Sequence, residues 1–320
     1  MARKKKRGRP ERQRRRRQQQ RKQYEELDKY PVLPPHAFAR IVRDLRTLNI
    51  LYQVIEPPLT KKEQEQFEEI LDIFVRSLTA DIAEIDADPV AYLRAAMDQI
   101  IKSYSMRVNK KSRSKIFYYL KRDLIGYGRM DVLMNDANVE DVSLDGVGIP
   151  IFAYHRKFES VETTIAWPDD HELESYVIKL AQRCGKHISV AEPLLDATLM
   201  DGSRIVMKLG YEISTRGSTF CIRRFREDPF SPCDIIAFRT MTSLMVAYMW
   251  ICFQQGISML FVGGTASGKT TTLNAMSLFI PWQMKIVSIE STREINIPQP
   301  NWIPGLTRQG FGGESSEGEI

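Results

Sequence analysis

The sequence predicts an α/β protein in three parts. A parallel-sheet domain stands at the C-terminal end, a small α+β domain precedes it, and a helical region comes first. Three observations predict this. From Ser243 the chain reads helix, apolar run, glycine loop, helix and apolar run, the order of a βαβ unit. Between residues 131 and 230, short strand-like runs alternate with turn signals, chief among them Asp201-Gly202-Ser203. Between residues 34 and 128, apolar residues recur at spacings of three and four.

Composition sets the frame. A chain of 320 residues, at ~100–200 residues per domain, predicts two domains with appendages. With 43% hydrophobic and 27% charged residues it is neither fibrous nor wholly disordered. The net charge of +6 is uneven: residues 1–24 carry thirteen Lys/Arg against one acid, a net of +12, so the remainder carries −6. Cys184, Cys221, Cys233 and Cys252 form no CxxC and no pairing with His, which argues against zinc or a disulfide scaffold and for a reducing, cytoplasmic compartment. The basic N-terminus lacks the apolar stretch of a signal peptide. The longest apolar run, Leu244–Phe253, is too short for the ~20 residues that cross a bilayer.

In chain order, residues 1–24 read as a disordered basic tail, since they bury almost nothing. Such a tail is a solvated, solubilising segment, a contact for an anionic membrane or protein partner, or a contact for nucleic acid. Residues 25–128 read as the helical N-terminal region. Phe38, Ile41, Val42, Leu45, Leu48 and Leu51 mark a first amphipathic helix, broken by Pro57-Pro58. Thr60 and Glu63 form a capping box for a second, carrying Phe67 to Leu78. A third follows Asp88-Pro89, and a fourth spans Lys115–Ile125. Residues 129–230 read as the α+β domain: strands at Val142–Leu144 and Ile149–Tyr154, a helix over Asp169–Cys184, a hairpin through Asp201-Gly202-Ser203, and a strand over Ser218–Arg224. Pro229 and Pro232 mark a linker. Residues 231–320 hold a helix (243–255), a strand (Ser258–Val262), the glycine loop, a helix (269–279) and a strand (Lys285–Ile289).

The sharpest signal is Gly263-Gly264-Thr265-Ala266-Ser267-Gly268-Lys269-Thr270, followed by Thr271, a match to G-x-x-x-x-G-K-[ST]. Glycines let successive backbone N–H groups converge on phosphate oxygens. The following helix adds its positive N-terminal end. Lys269 brings a mobile point charge to the terminal phosphates, and the Thr270 hydroxyl suits Mg2+. These residue types in this order predict a site for a nucleoside triphosphate. A P-loop enzyme also needs an acidic residue after a later apolar strand. No apolar run ending in Asp or Glu follows Ile289, so the domain reads as truncated.

The motifs resemble the secretion ATPase superfamily: the type II secretion, type IV pilus and archaeal flagellum (archaellum) assembly motors, with the archaeal branch nearest. The resemblance covers roughly residues 115–320. It rests on VEDVSLDGVGIPIFAYH (139–155), PLLDATLMDGSRIVMKL (193–209), FCIRRF (220–225), GGTASGKTTTLNA (263–275) and IVSIESTREINIPQPNWIP (286–304). It implies a P-loop (RecA-like) domain lacking its Walker B part, preceded by the family's N-terminal domain. It implies ATP and Mg2+ as cofactors and a cytoplasmic hexamer under a membrane platform protein, coupling ATP hydrolysis to export or filament assembly.

By the same resemblance Glu290 acts near the attacking water and Glu294 is the second acid. Ser291 stands where the family usually has Asp, which weakens the case for hydrolysis. Arg204, Arg223 and Arg224 match arginines that approach phosphate, and Arg308 fits the same idea with less support. Two plainer readings stay open: the arginines as salt bridges on a wet strand face, and Glu290 as an exposed strand-end acid. Two other functions also stay open. One is a catalytically dead nucleotide-binding fragment. The other is a nucleic-acid motor, against which the acidic body argues.

Overall fold

A computed structural model describes residues 23–76, 88–225, 229–264, 267–290 and 293–307. Most of the basic tail, Leu78, Thr265, Ala266, Ser291, Arg308 and the last residues therefore lie outside the described residues. The chain is a mixed α/β protein of two compact units. One comprises Met1–Val177 with Lys208–Cys221, the other Ile178–Met207 with Ile222–Ile320.

The first unit opens with β1 (Tyr24–Leu33), β2 (Ala37–Asp44) and β3 (Ile50–Ile55), an antiparallel meander. This corrects the expected amphipathic helix through Phe38 and Leu51. In β2, Ala37, Ala39 and Ile41 are fully buried at every second position, the period of a strand. Ile41, Val42, Ile50, Val54 and Ile55 are β-branched, which favours the pleated surface. Leu45 and Leu48, two members of the supposed helical stripe, lie exposed in the β2–β3 turn.

The helical region begins only at α1 (Lys61–Arg76), followed by α2 (Pro89–Ser103) and α3 (Lys110–Leu120). The capping box forms as expected. Thr60 N donates to Glu63 Oε2 (2.8 Å), and Glu63 N donates to Thr60 Oγ1 (3.3 Å). The Asp88 carboxylate caps α2, accepting from Val90 N and Ala91 N. Phe67, Ile70, Leu93, Met97, Ile100, Ile116 and Leu120 close one core among the three helices. The fourth expected helix is α3 itself, starting earlier and passing into a π-helical turn at Lys121–Ile125.

After α4 (Asp131–Asn135) come β4 (Val139–Leu144), β5 (Pro150–His155) and β6 (Glu159–Ala166). Of these, β6 was not predicted. The strand order is β1-β2-β3-β6-β5-β4, with β3 parallel to β6. The helix expected over Asp169–Cys184 is α5 (Asp170–Arg183).

The hairpin is β7 (Leu194–Thr198) and β8 (Arg204–Lys208), and the strand order there is β9-β8-β7 with β9 (Thr219–Arg223), whose Ile222 and Arg223 belong to the second unit. The turn is built as its residues require. Gly202 takes φ +85°, a conformation open to glycine. The Ser203 hydroxyl donates to Asp201 Oδ2 (3.0 Å) and accepts from Phe225 N (3.0 Å). The expected proline linker is instead α6 (Pro232–Ala237), begun by a Ser231–Asp234 capping box with Pro232 at its start.

Then follow α7 (Ser243–Gln254), α8 (Lys269–Ser277) and a parallel pair, β10 (Ile286–Glu290) and β11 (Trp302–Leu306). Ile235, Val246, Ala275 and Met276 join α6, α7 and α8 in one core. Ser258–Val262 is not a strand: Leu260 and Val262 are 88% and 81% exposed, while Phe261 packs on that core. No described helix is long and apolar enough to cross a membrane.

Candidate functional site

The site is assembled within the second unit. Gly268, at φ +86°, turns the loop into α8, whose first regular bond runs from Thr272 N to Gly268 O (2.9 Å). The leading amides of α8 have no acceptor inside the helix, and they carry its positive end. The loop is close-wound: a Cβ on Gly263 would stand 2.5 Å from Ser267 Oγ. The Lys269 ammonium donates to Gly264 O at 2.5 Å, resting on the loop it is expected to serve.

Thr270 and Thr271 line a cleft of about 760 Å³, counted out to open solvent at its mouth. Arg204, Arg223, Arg224 and Arg293 line the same cleft. Phe225, Pro229 and Phe230 give it an apolar side, and Glu294 is its one acid among the described residues. The alternation in β9 explains part of this. Phe220 and Ile222 point into the core, which leaves Arg223 on the open face. Among the described residues, two hydroxyls and four guanidinium groups against one carboxylate suit an anion with several oxygens. Arg204 is already engaged: Nε and Nη2 donate to Asp196 Oδ1 (3.1 Å) and Oδ2 (2.5 Å), and this pairing raises its pKa.

The two acids expected at the site part company. Glu294 lines the cleft. Glu290, at the end of β10, clasps the chain that follows: Oε2 accepts from Glu294 N (2.8 Å) and Ile295 N (2.9 Å), and Oε1 from Ser288 Oγ (3.1 Å).

Asn274 Oδ1 accepts from Asn296 N (3.2 Å), and Gln299 Nε2 donates to Ser277 O (3.3 Å), tying that stretch to α8. Sequence reasoning had not singled out Arg293, Phe225 or Asn274. Each lies inside a quoted motif, yet none has a spacing that marks it.

Residues 153–305 match the family described as Type II/IV secretion system protein. The chain is similar to two proteins of Methanocaldococcus jannaschii. It is 35% identical to uncharacterized protein MJ0900 over 82% of this chain and 47% of that protein. It is 42% identical to uncharacterized protein MJ1288 over 51% of this chain and 65% of that one. The chain thus spans less than two thirds of either relative. Among solved structures it is similar to the VirB11 ATPase of the Brucella suis type IV secretion system in complex with sulphate. That likeness has 21% identity and a TM-score of 0.28, over 53% of this chain and 57% of that one. The match over residues 153–305 to the type II/IV secretion system protein family falls within the stretch whose ordered motifs resemble the secretion ATPase superfamily.

Proposed function

We propose that the chain is the ATP-binding part of a secretion, pilus or archaellum assembly ATPase. One observation carries the reading. Arg204, Arg223 and Arg224 line the same cleft as Thr270 and Thr271, which follow the lysine of the phosphate loop. The residues present suit the ligand: the loop amides and Lys269 take the phosphates, the Thr270 hydroxyl suits Mg2+, and the arginines take spread phosphate charge. When bound, Mg2+ neutralises charge between neighbouring phosphates. Lys269 exchanges the Gly264 carbonyl for phosphate. Glu290 orients water once it leaves the amides it now clasps, and Glu294 is the second acid. The arginines pass the nucleotide state to neighbouring copies in a homo-oligomer, a hexamer in this reading. That ring works at the cytoplasmic face of a membrane beside a platform protein, with the basic N-terminal segment as its contact to anionic lipid.

The test is an ATP titration of the chain and of Lys269→Ala. A loss of about tenfold or more is expected; identical affinities remove the site. A second reading, binding without turnover, is favoured by the two Glu290 oxygens being engaged in the clasp. Lys269-dependent ATP turnover by the purified chain would exclude it.

A further inference from the structure

We infer that Arg293, which no motif assigns, is a ligand of the phosphate chain in this cleft. The inference rests on the nucleotide reading above and names a residue that reading does not use. Arg293 lines the cleft together with Thr270 and Thr271. Its guanidinium lies 5.9 Å from the Phe225 ring centroid and 5.6 Å from that of Trp302. Two aromatic rings lie within cation–π reach of the guanidinium, an attraction that uses none of its N–H donors. Arg293 Nε is sealed from water and has no hydrogen-bond partner among the described residues. A donor buried in that state is costly unless a ligand completes it.

The contrast with Arg204 is direct. That residue lines the same cleft, but Asp196 holds its fork at two points. Glu294, the acid beside Arg293 in sequence, gives its backbone N–H to Glu290 Oε2. A guanidinium flanked by two rings, with Nε unpaired, in a cleft of hydroxyls and further arginines, matches a polyphosphate, because phosphate oxygens accept planar pairs of N–H bonds.

The placement also joins Arg293 to Glu290. Trp302 Nε1 donates to Ser288 Oγ (3.1 Å), and Ser288 Oγ donates to Glu290 Oε1 (3.1 Å). The residue after Arg293 is one of the two whose N–H groups Glu290 holds. A phosphate drawn to Arg293 therefore pulls on the clasp that occupies Glu290.

The experiment titrates the full chain, Lys269→Ala, Arg293→Gln and Arg293→Lys with ATP, AMP and inorganic triphosphate by calorimetry. Loss of one charge-assisted pair predicts a drop of about ten- to a hundredfold for ATP and triphosphate in Arg293→Gln. AMP should change by less than about threefold. Arg293→Lys keeps the charge but not the fork, and it should recover only part of the loss. It also carries the test if Arg293→Gln melts early in a thermal scan. If Lys269→Ala binds ATP as the wild type does, the nucleotide site and this inference fall together. If ATP binding depends on Lys269 but both Arg293 variants keep wild-type affinities for ATP and triphosphate, this inference alone is overturned.

Discussion

Gly202→Ala tests how the hairpin turn shapes the cleft. Gly202 sits at φ +85°, where an L side chain costs ~1–2 kcal/mol. Restricting the unfolded chain returns ~0.4–1 kcal/mol of that. The backbone alone thus costs ~0.5–1 kcal/mol. The new methyl also meets Phe225: Cγ at 3.1 Å, Cδ1 at 3.3 Å and Cβ at 3.4 Å. Overpacking of this kind costs ~1–3 kcal/mol when the neighbour cannot move freely. Phe225 cannot, because its N–H is bound to Ser203 Oγ at 3.0 Å and its ring faces Arg293.

The expected loss is ~1.5–4 kcal/mol in urea unfolding followed by circular dichroism. Gly185→Ala is the control. Gly185 has φ +65° with nothing within 4 Å of its would-be Cβ, so it carries the backbone cost without the clash. Its loss should stay near 1 kcal/mol or below. Gly202→Ala should also weaken ATP binding more than Gly185→Ala does, since Phe225 and Arg293 shift together. Equal losses for the two variants, in stability and in affinity, would refute the reasoning.

Two more predictions concern pH. Glu63 is pulled from 4.5 to about 2, first by the Thr60 N–H and then by the Ser112 hydroxyl, with Lys115 adding a weaker bond. A carboxylate with a lowered pKa contributes stability above its unfolded value and loses it as pH falls through 4.5 toward about 2. Glu63→Gln should cost ~1.5–3 kcal/mol at neutral pH and flatten that acid limb, which urea midpoints between pH 2 and 7 will show. His155 is the opposite kind of group: buried at 2% exposure, with its pKa lowered by that burial against the pull of Asp136 and Asp28 and with help from Lys157 and Arg156. Its Nδ1 accepts from Lys157 N (3.1 Å), so Nε2 carries the proton toward the Tyr30 hydroxyl (3.0 Å), which donates to Asp136 (2.6 Å). The unfolded chain binds the proton more readily, so stability is whole above about 6.5 and falls as pH drops below it. A urea midpoint as steep between pH 7 and 5 in His155→Gln as in the wild type would remove His155 as the cause.

What could be read from the sequence divides along a physical line. Features set by residues close in sequence were legible: the Thr60–Glu63 box, the helix start after Asp88-Pro89, the Asp201-Gly202-Ser203 turn and the Gly268-Lys269 helix start. Each is a local bond or a local dihedral angle, so the residue types alone decide it. The meander at 24–55 was not legible. Its apolar residues satisfy both a spacing of three to four and an alternation of two, and pairing across β1, β2 and β3 selects the second.

Ser258–Val262 shows the same limit from the other side. Its composition is that of a buried strand, but a strand exists through a neighbour's hydrogen bonds. Among the described residues β10 pairs with β11, and this run pairs with neither. At the site, the glycine loop was found because fixed spacing marks it, and Arg204, Arg223 and Arg224 because their motifs resemble those of the secretion ATPases. Arg293 was not, since its role depends on Phe225 and Trp302 converging on it from 68 positions before and nine after. A sequence shows which groups can bind phosphate. Only the fold shows which guanidinium still has donors to give, and here that separates Arg293 from Arg204, whose fork Asp196 already fills.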